Sequence, residues 1–214
     1  DQDLFVDPAD GAAYLARNGY VNRLTPDFLG IEPGAAPALV PTPVPGESAC
    51  MFTRGGRFFM LSGYHCCACK GGSNIWVDVA DHPLGPWRYL GDIGRNLSTP
   101  SPNTSFPCPR THSPFSFSTR SQASAVFEYG DAHIFLGNQW VTATEPGHPR
   151  NGDLFFWSVL RFGADGNPLQ VEWSDEMVLP PLKADDGAAH QPPQASKPAA
   201  WRQDRFAISM WVDP

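Results

Sequence analysis

One pattern recurs along this chain and leaves few folds open to it: a short apolar strand, a polar turn containing glycine, then a strand rich in aromatic and aliphatic residues. It runs through Leu4-Phe5-Val6, Asp10-Gly11 and Ala13-Tyr14-Leu15. It returns as Ala49-Cys50-Met51-Phe52, Gly55-Gly56 and Phe58-Phe59-Met60-Leu61, and again as Ala125-Val126-Phe127, Gly130-Asp131 and His133-Ile134-Phe135-Leu136. Each copy reads as a β-hairpin, with turn residues that accept positive φ between β-forming flanks. A fourth is expected from Phe155 to Phe162, through Ala164-Asp165-Gly166-Asn167, to Val171–Trp173. Outer strands are expected at Ile75–Val79, followed by Pro83–Trp87, and at Tyr20–Leu24. The 214 residues include 20 glycines and 23 prolines, punctuation too dense for a helical bundle. The fold class predicted is all-β.

Spacing narrows this further. Gly11 and Gly56 are 45 residues apart, the length of one β-propeller blade at about 40 to 50 residues. Gly56 and Gly130 are 74 apart, which fits a blade plus an insertion, the Pro/Ser/Thr-rich stretch from Leu97 to Thr119. A structureless stretch of that length reads as a binding loop or as disorder. The expected organisation is a partial propeller over 1–182, a linker over 183–200, and over 201–214 an extra strand, Arg205–Val212, or the start of another module. Strands for about three to three and a half blades are present. A β-sandwich is the alternative, since it also needs many short strands.

Charge and composition remove several functions. With 22 acidic against 15 basic residues and a net charge of −7, there is no phosphate-neutralising surface, and nucleic acid is not expected as a partner. Aromatic content of 12% argues against an intrinsically disordered chain. No uncharged apolar run approaches the roughly 18 to 20 residues of a membrane-spanning helix. The six histidines show neither HxH nor HxxxH spacing, so no catalytic metal is expected. Of the five cysteines, Cys66, Cys67 and Cys69 cluster without the spacing of a zinc site. A disulfide from that cluster to Cys108 is favoured over inert thiols or a metal, and it implies an oxidising, secreted setting. Cys50, inside an apolar strand, is the expected unpaired buried thiol. The first residue is Asp1 with no signal segment before it, which reads as a mature product or a fragment.

The hairpin residues resemble glycoside hydrolase family 43. The likeness is carried by Asp1-Gln2-Asp3-Leu4-Phe5-Val6-Asp7, by Glu47-Ser48-Ala49-Cys50-Met51-Phe52 with Arg57-Phe58-Phe59, and by Pro83-Leu84-Gly85-Pro86-Trp87. Ser121-Gln122, Gly137-Asn138-Gln139-Trp140 and the block from Phe156-Trp157 to Trp173 extend it over about residues 1 to 180. The branch most similar contains exo-β-1,3-galactanases. The resemblance implies a five-bladed propeller with its site at the mouth of the central channel, and it implies that this chain starts at what corresponds to the third blade. It places Asp1 as the orienting, pKa-tuning carboxylate, Glu47 as the general acid, and Gln122 as the glutamine facing that acid. Some relatives hold a calcium in the channel, but no acidic loop here demands one, and no cofactor is expected.

These assignments carry a chemical requirement. Glycoside hydrolysis must protonate a leaving oxygen, so the acid has to hold its proton near neutral pH, through desolvation or a neighbouring carboxylate. Inversion also needs a water on the opposite sugar face, with the catalytic groups about 6.5 to 9.5 Å apart. Gln122 can orient that water, although an amide is a poor base. Tyr64, Trp76, Trp140 and Trp157 are the candidate sugar-binding residues; the alternative is that these tryptophans fill the aromatic core and Tyr64 belongs to a surface loop. The function the resemblance implies is inverting, exo-β-1,3-galactanase-like hydrolysis of a plant- or algal-type polysaccharide, releasing galactose or a similar sugar, with a galactan-like polysaccharide or oligosaccharide as the carbohydrate partner. The competing readings are a propeller that binds carbohydrate without cutting it, or one part of a larger assembly whose N-terminal blades or partner chain cover the open sheet edges.

Overall fold

The structure, a computed structural model, describes residues 2–17, 19–42, 47–63, 72–100, 115–119, 121–139 and 154–180. These residues belong to one compact unit spanning 1–182. No helix occurs among them, and every strand pairs antiparallel to its neighbours. The first sheet runs β1 (Gln2–Val6), β2 (Ala13–Arg17), β3 (Tyr20–Arg23) and β4 (Ala38–Leu39) in sequence order. The second runs β5 (Glu47–Arg54), β6 (Arg57–Gly63), β7 (Trp76–Ala80) and β8 (Arg88–Asp92). A two-stranded pair joins β9 (Arg95–Pro100) to β10 (Phe115–Phe117), and the last sheet runs β11 (Gln122–Tyr129), β12 (Ala132–Gln139) and β13 (Leu154–Val159).

Each larger sheet is a meander, so it forms from contacts close in sequence. The turns sit where glycine allows a left-handed backbone: Gly55 and Gly56, at φ 59° and 73°, join β5 to β6, and Gly130, at φ 57°, joins β11 to β12. The sheets then stack by their faces, with β1 beside β5 and β5 beside β11. Because strand residues alternate sides, the second sheet has two buried faces. One packs Met51, Phe58, Met60 and Ala80 against Phe5, Tyr14, Ala16 and Val21 of the first sheet. The other packs Phe52, Phe59, Leu61, Ile75 and Val77 against Phe135, Phe156 and Leu160. A two-sheet sandwich gives no sheet two buried faces, and consecutive meanders with neighbouring first strands are the arrangement of propeller blades.

The junction between the second and last sheets is the more aromatic of the two. Phe52 stacks on Phe59 with ring centres 5.3 Å apart, Phe162 meets both edge-on, and the Arg54 guanidinium lies 4.0 Å from the centre of the Phe162 ring. His133 donates its Nε2–H to the Thr53 carbonyl at 2.7 Å, bridging the two sheets. Arg57 donates to the Asn167 side chain and to the Asp165 carbonyl, both at 3.0 Å, and so pins the turn beyond β13. The opposite ends of the stack are not covered in this way. Leu4 and Leu39 on the outer face of the first sheet are 54% and 66% exposed, and Phe155 and Trp157 stand exposed on the outer face of the last.

The structure corrects three expectations about elements. The fourth hairpin is cut short: β13 pairs with β12 as the third strand of the last sheet, and the turn through Ala164–Asn167 closes only as an isolated Phe162–Pro168 bridge, flanked by bonds from Gly163 to Asn167 and from Leu169 to Arg161, that does not reach Val171–Trp173. Further pairing stops because Val171 turns away and donates to the Ile93 carbonyl at 2.9 Å. The outer strand begins at Arg88, after Pro83–Trp87, where two prolines would interrupt pairing. The insertion carries strands at its edges, β9 and β10, rather than none. The linker over 183–200, the strand Arg205–Val212 and Cys66, Cys67, Cys69 and Cys108 lie outside the described residues. Cys50 is a free, fully buried thiol.

The buried second sheet makes a stability prediction. Phe59, with no exposed surface and two aromatic partners, should cost about 3–5 kcal/mol when changed to alanine. Denaturant unfolding should show a lower midpoint with an unchanged m-value.

Candidate functional site

Glu47 is the first residue of β5 and Gln122 the first residue of β11, so both stand at the heads of first strands in sheets packed together. A register shift follows each one: between Glu47 and Cys50 against β6, and between Ala123 and Ala125 against β12. Such irregularities bend a strand end and re-aim its side chain. The two side chains meet across the sheets, Gln122 donating from Nε2 to Glu47 Oε2 at 3.3 Å. Gln122 is buried and Glu47 half-buried.

The head of β11 is held from behind by a set of polar contacts. The Ser121 carbonyl accepts from the Ser73 N–H at 3.1 Å, which ties it to the second sheet. Its hydroxyl lies 2.8 Å from that of Thr119, and the buried Gln139 donates to the Thr119 carbonyl at 3.2 Å. Two glycines let these groups approach. A Cβ on Gly63, the residue opposite Glu47, would fall 2.7 Å from the Asn74 carbonyl, and one on Gly137 would fall 2.8 Å from Ser121 Cβ. The stretch leading into β7 is fixed in turn by Asp92, which accepts from the Asn74 amide and from the Ile75 and Gly94 N–H groups.

Asp3 ties the first sheet to the second. Its Oδ2 accepts from the Met51 N–H at 2.8 Å, locking β1 against the strand that Glu47 opens. Burial pushes its carboxyl up, and backbone hydrogen bonds from Met51 and Leu4 partly offset that. Sequence alone gives Asp3 no role beyond its place in the Asp1–Asp7 likeness, because a carboxyl in a strand looks the same whether water or another sheet covers it.

The other expected site residues are distributed differently. Trp76 begins β7, two strands from Glu47, and is buried on the face turned to the first sheet. Trp157 lies on β13, where its ring meets Phe127 edge-on at 5.7 Å on the outer face. Trp76 packs as buried aromatic surface and Trp157 as part of an outer face. Asp1, Tyr64 and Trp140 lie outside the described residues. Among the described residues no group of three or more His, Cys, Asp or Glu side chains is arranged to hold a metal.

No protein-family model matches the sequence, and no curated protein matches it. Solved structures do. The chain is similar to an exo-β-1,3-galactanase from Clostridium thermocellum, at 20% identity and TM-score 0.58 over 79% of this chain and 33% of that one. It is similar to a GH43 β-1,3-galactosidase holding galactodeoxynojirimycin, at 18% identity and TM-score 0.58 over 82% of this chain and 46% of the other. It is similar to an exo-β-1,3-galactanase from Phanerochaete chrysosporium with galactose, at 18% identity and TM-score 0.55 over 80% and 35%. A variant of that fungal enzyme with one glutamate changed to glutamine holds β-1,3-galactotriose. The chain therefore has the propeller-type fold of family 43 structures and spans a third to a half of the length of these three. The resemblance read from the hairpin residues is borne out at the level of fold.

Gly137 offers a test of how the site is built. In Gly137→Ala the new methyl group meets Ser121, whose Cβ cannot rotate away, so the head of β11 must shift. A loss of about 1–3 kcal/mol in thermal or chemical unfolding is expected.

Proposed function

We propose that this chain carries the acid side of a glycoside hydrolase site acting on β-1,3-linked galactan, with Glu47 as the proton donor to the leaving oxygen. The observation that supports it is the contact between Glu47 and Gln122 at the heads of neighbouring first strands, in a fold shared with enzymes of that activity. In this reading Gln122 holds the carboxyl of Glu47 in place until substrate enters. At 3.3 Å the two side chains are in direct contact, so a sugar entering between them must break their hydrogen bond. Substrate entry therefore exchanges the Gln122–Glu47 hydrogen bond for contacts with the sugar. Gln122 then orients the attacking water without taking its proton, since an amide has no basic lone pair at nitrogen. Asp1, preceding the strand that Asp3 docks to β5, is the orienting carboxylate of this reading.

The exposed apolar faces at the two ends of the stack support a second part of the proposal: further sheets, in a longer polypeptide or a partner chain, close the ring against them. Those sheets are the source of the base that receives the water's proton.

Glu47→Gln, which keeps the shape of the side chain and removes its titrating proton, should lower galactose release from β-1,3-galactan by about 10²–10⁴-fold. Binding of β-1,3-galactotriose, followed by calorimetry, should survive. With the further sheets present, unchanged release would remove Glu47 from the mechanism, and sugar binding by the unaltered protein with no release at all would favour a binding propeller.

A further inference from the structure

Asp78 stands in the middle of β7, between Val77 and Val79, with no exposed surface. Its register partners are Met60 on β6 and Tyr89 on β8, and its face is the one closed by Phe5, Tyr14 and Val21 of the first sheet. Neither of its carboxyl oxygens has a hydrogen-bond partner. The Ser62 hydroxyl and the Trp87 indole N–H, which share that face, are buried without partners as well. A carboxylate in such a place loses its hydration and gains nothing in return, whereas the neutral acid loses far less.

We propose that Asp78 is a proton-controlled latch between the first two sheets: neutral, it packs inside their junction, and ionised, it forces that junction, and with it the seating of β1 on β5, to loosen. Burial pushes its carboxyl from the ordinary 3.8 up to about 7, and no charge contributes to that shift. The titratable and charged groups on the facing side of the first sheet are Asp3, Asp7, Tyr14 and Arg23. Asp3 is engaged with the Met51 N–H, Asp7 with the Ala9 N–H, and Arg23 with Glu32 at 3.4 Å. On its own sheet the neighbours are Tyr89 and, at the turn after β7, the exposed Asp81 and His82. None of these is an opposite charge at its carboxyl.

The direction follows from linkage. The folded chain binds this proton more tightly than the unfolded chain, so the stabilisation is complete below about pH 4 and is lost as pH rises to about 7. The test is chemical denaturation of the full chain from pH 4 to pH 8, beside Asp78→Asn and Asp78→Leu, neither of which titrates. The ratio of unfolding constants, wild type over variant, should rise about tenfold per pH unit across that window and then level off. Should both variants fail to fold, amide exchange in the wild type, corrected for its intrinsic pH dependence, takes their place. The first sheet should then exchange faster at pH 8 than at pH 5, relative to β11 and β12. Parallel pH profiles for wild type and variants, or exchange in the first sheet that ignores pH, would overturn the latch. Both readouts are independent of sugar turnover, so the latch stands or falls apart from the hydrolase reading.

Discussion

Phe58 and Met60 point to one side of β6 and Phe59 and Leu61 to the other, and different sheets exclude water from the two sides. A strand with apolar residues on both faces needs a neighbour on each, and a stack of sheets supplies them. From this one requirement come the order of the sheets, the nearness of their first strands, and the placing of strand heads at a common end of the stack. The buried Phe, Met, Leu and Val side chains on β6 and β7 contribute roughly 1.5–3 kcal/mol each, so the second sheet is the part on which its neighbours depend. The exposed leucines of the first sheet and aromatics of the last show the same requirement left unmet at the ends.

The candidate site is a by-product of that stacking. Residues 75 positions apart meet because two strands begin at the same level, and the backbone bond from Ser73 to Ser121 holds those heads together. Small residues and short polar side chains then set the fine position. Gly63 and Gly137 admit the Ser73 and Ser121 segments, and Thr119 and Gln139 hold the approach to Gln122. A chain that places an acid against an amide in this way can present the acid's oxygen in a fixed direction. The neutral amide adds no charge to the site.

The same packing that builds the site makes the first junction sensitive. The junction of the second and last sheets is bridged by His133, Arg54 and Arg57, each with a named partner. The junction of the first and second has the Asp3–Met51 contact on one side and the unpartnered Asp78 in its interior. Two neighbouring interfaces of similar apolar character thus differ in how they answer protons.

Much of this was legible from residues alone. Gly11, Gly55-Gly56 and Gly130-Asp131 between runs of aromatic and aliphatic residues determine hairpins, because turn chemistry and alternation are local properties. Those runs, with the head residues Glu47 and Gln122, were enough to carry the likeness to family 43. Tertiary structure decided what locality cannot. It put β13 beside β12 and cut the following hairpin short at Leu169, because Val171 is drawn to the Ile93 carbonyl instead. It buried Trp76 between sheets and left Trp157 on an outer face, since a flat ring serves packing as well as a sugar. It also turned Asp3 into a tie and Asp78 into a buried acid. A carboxyl in a strand looks the same in sequence whether water or another sheet covers it, and only the neighbouring sheet settles which.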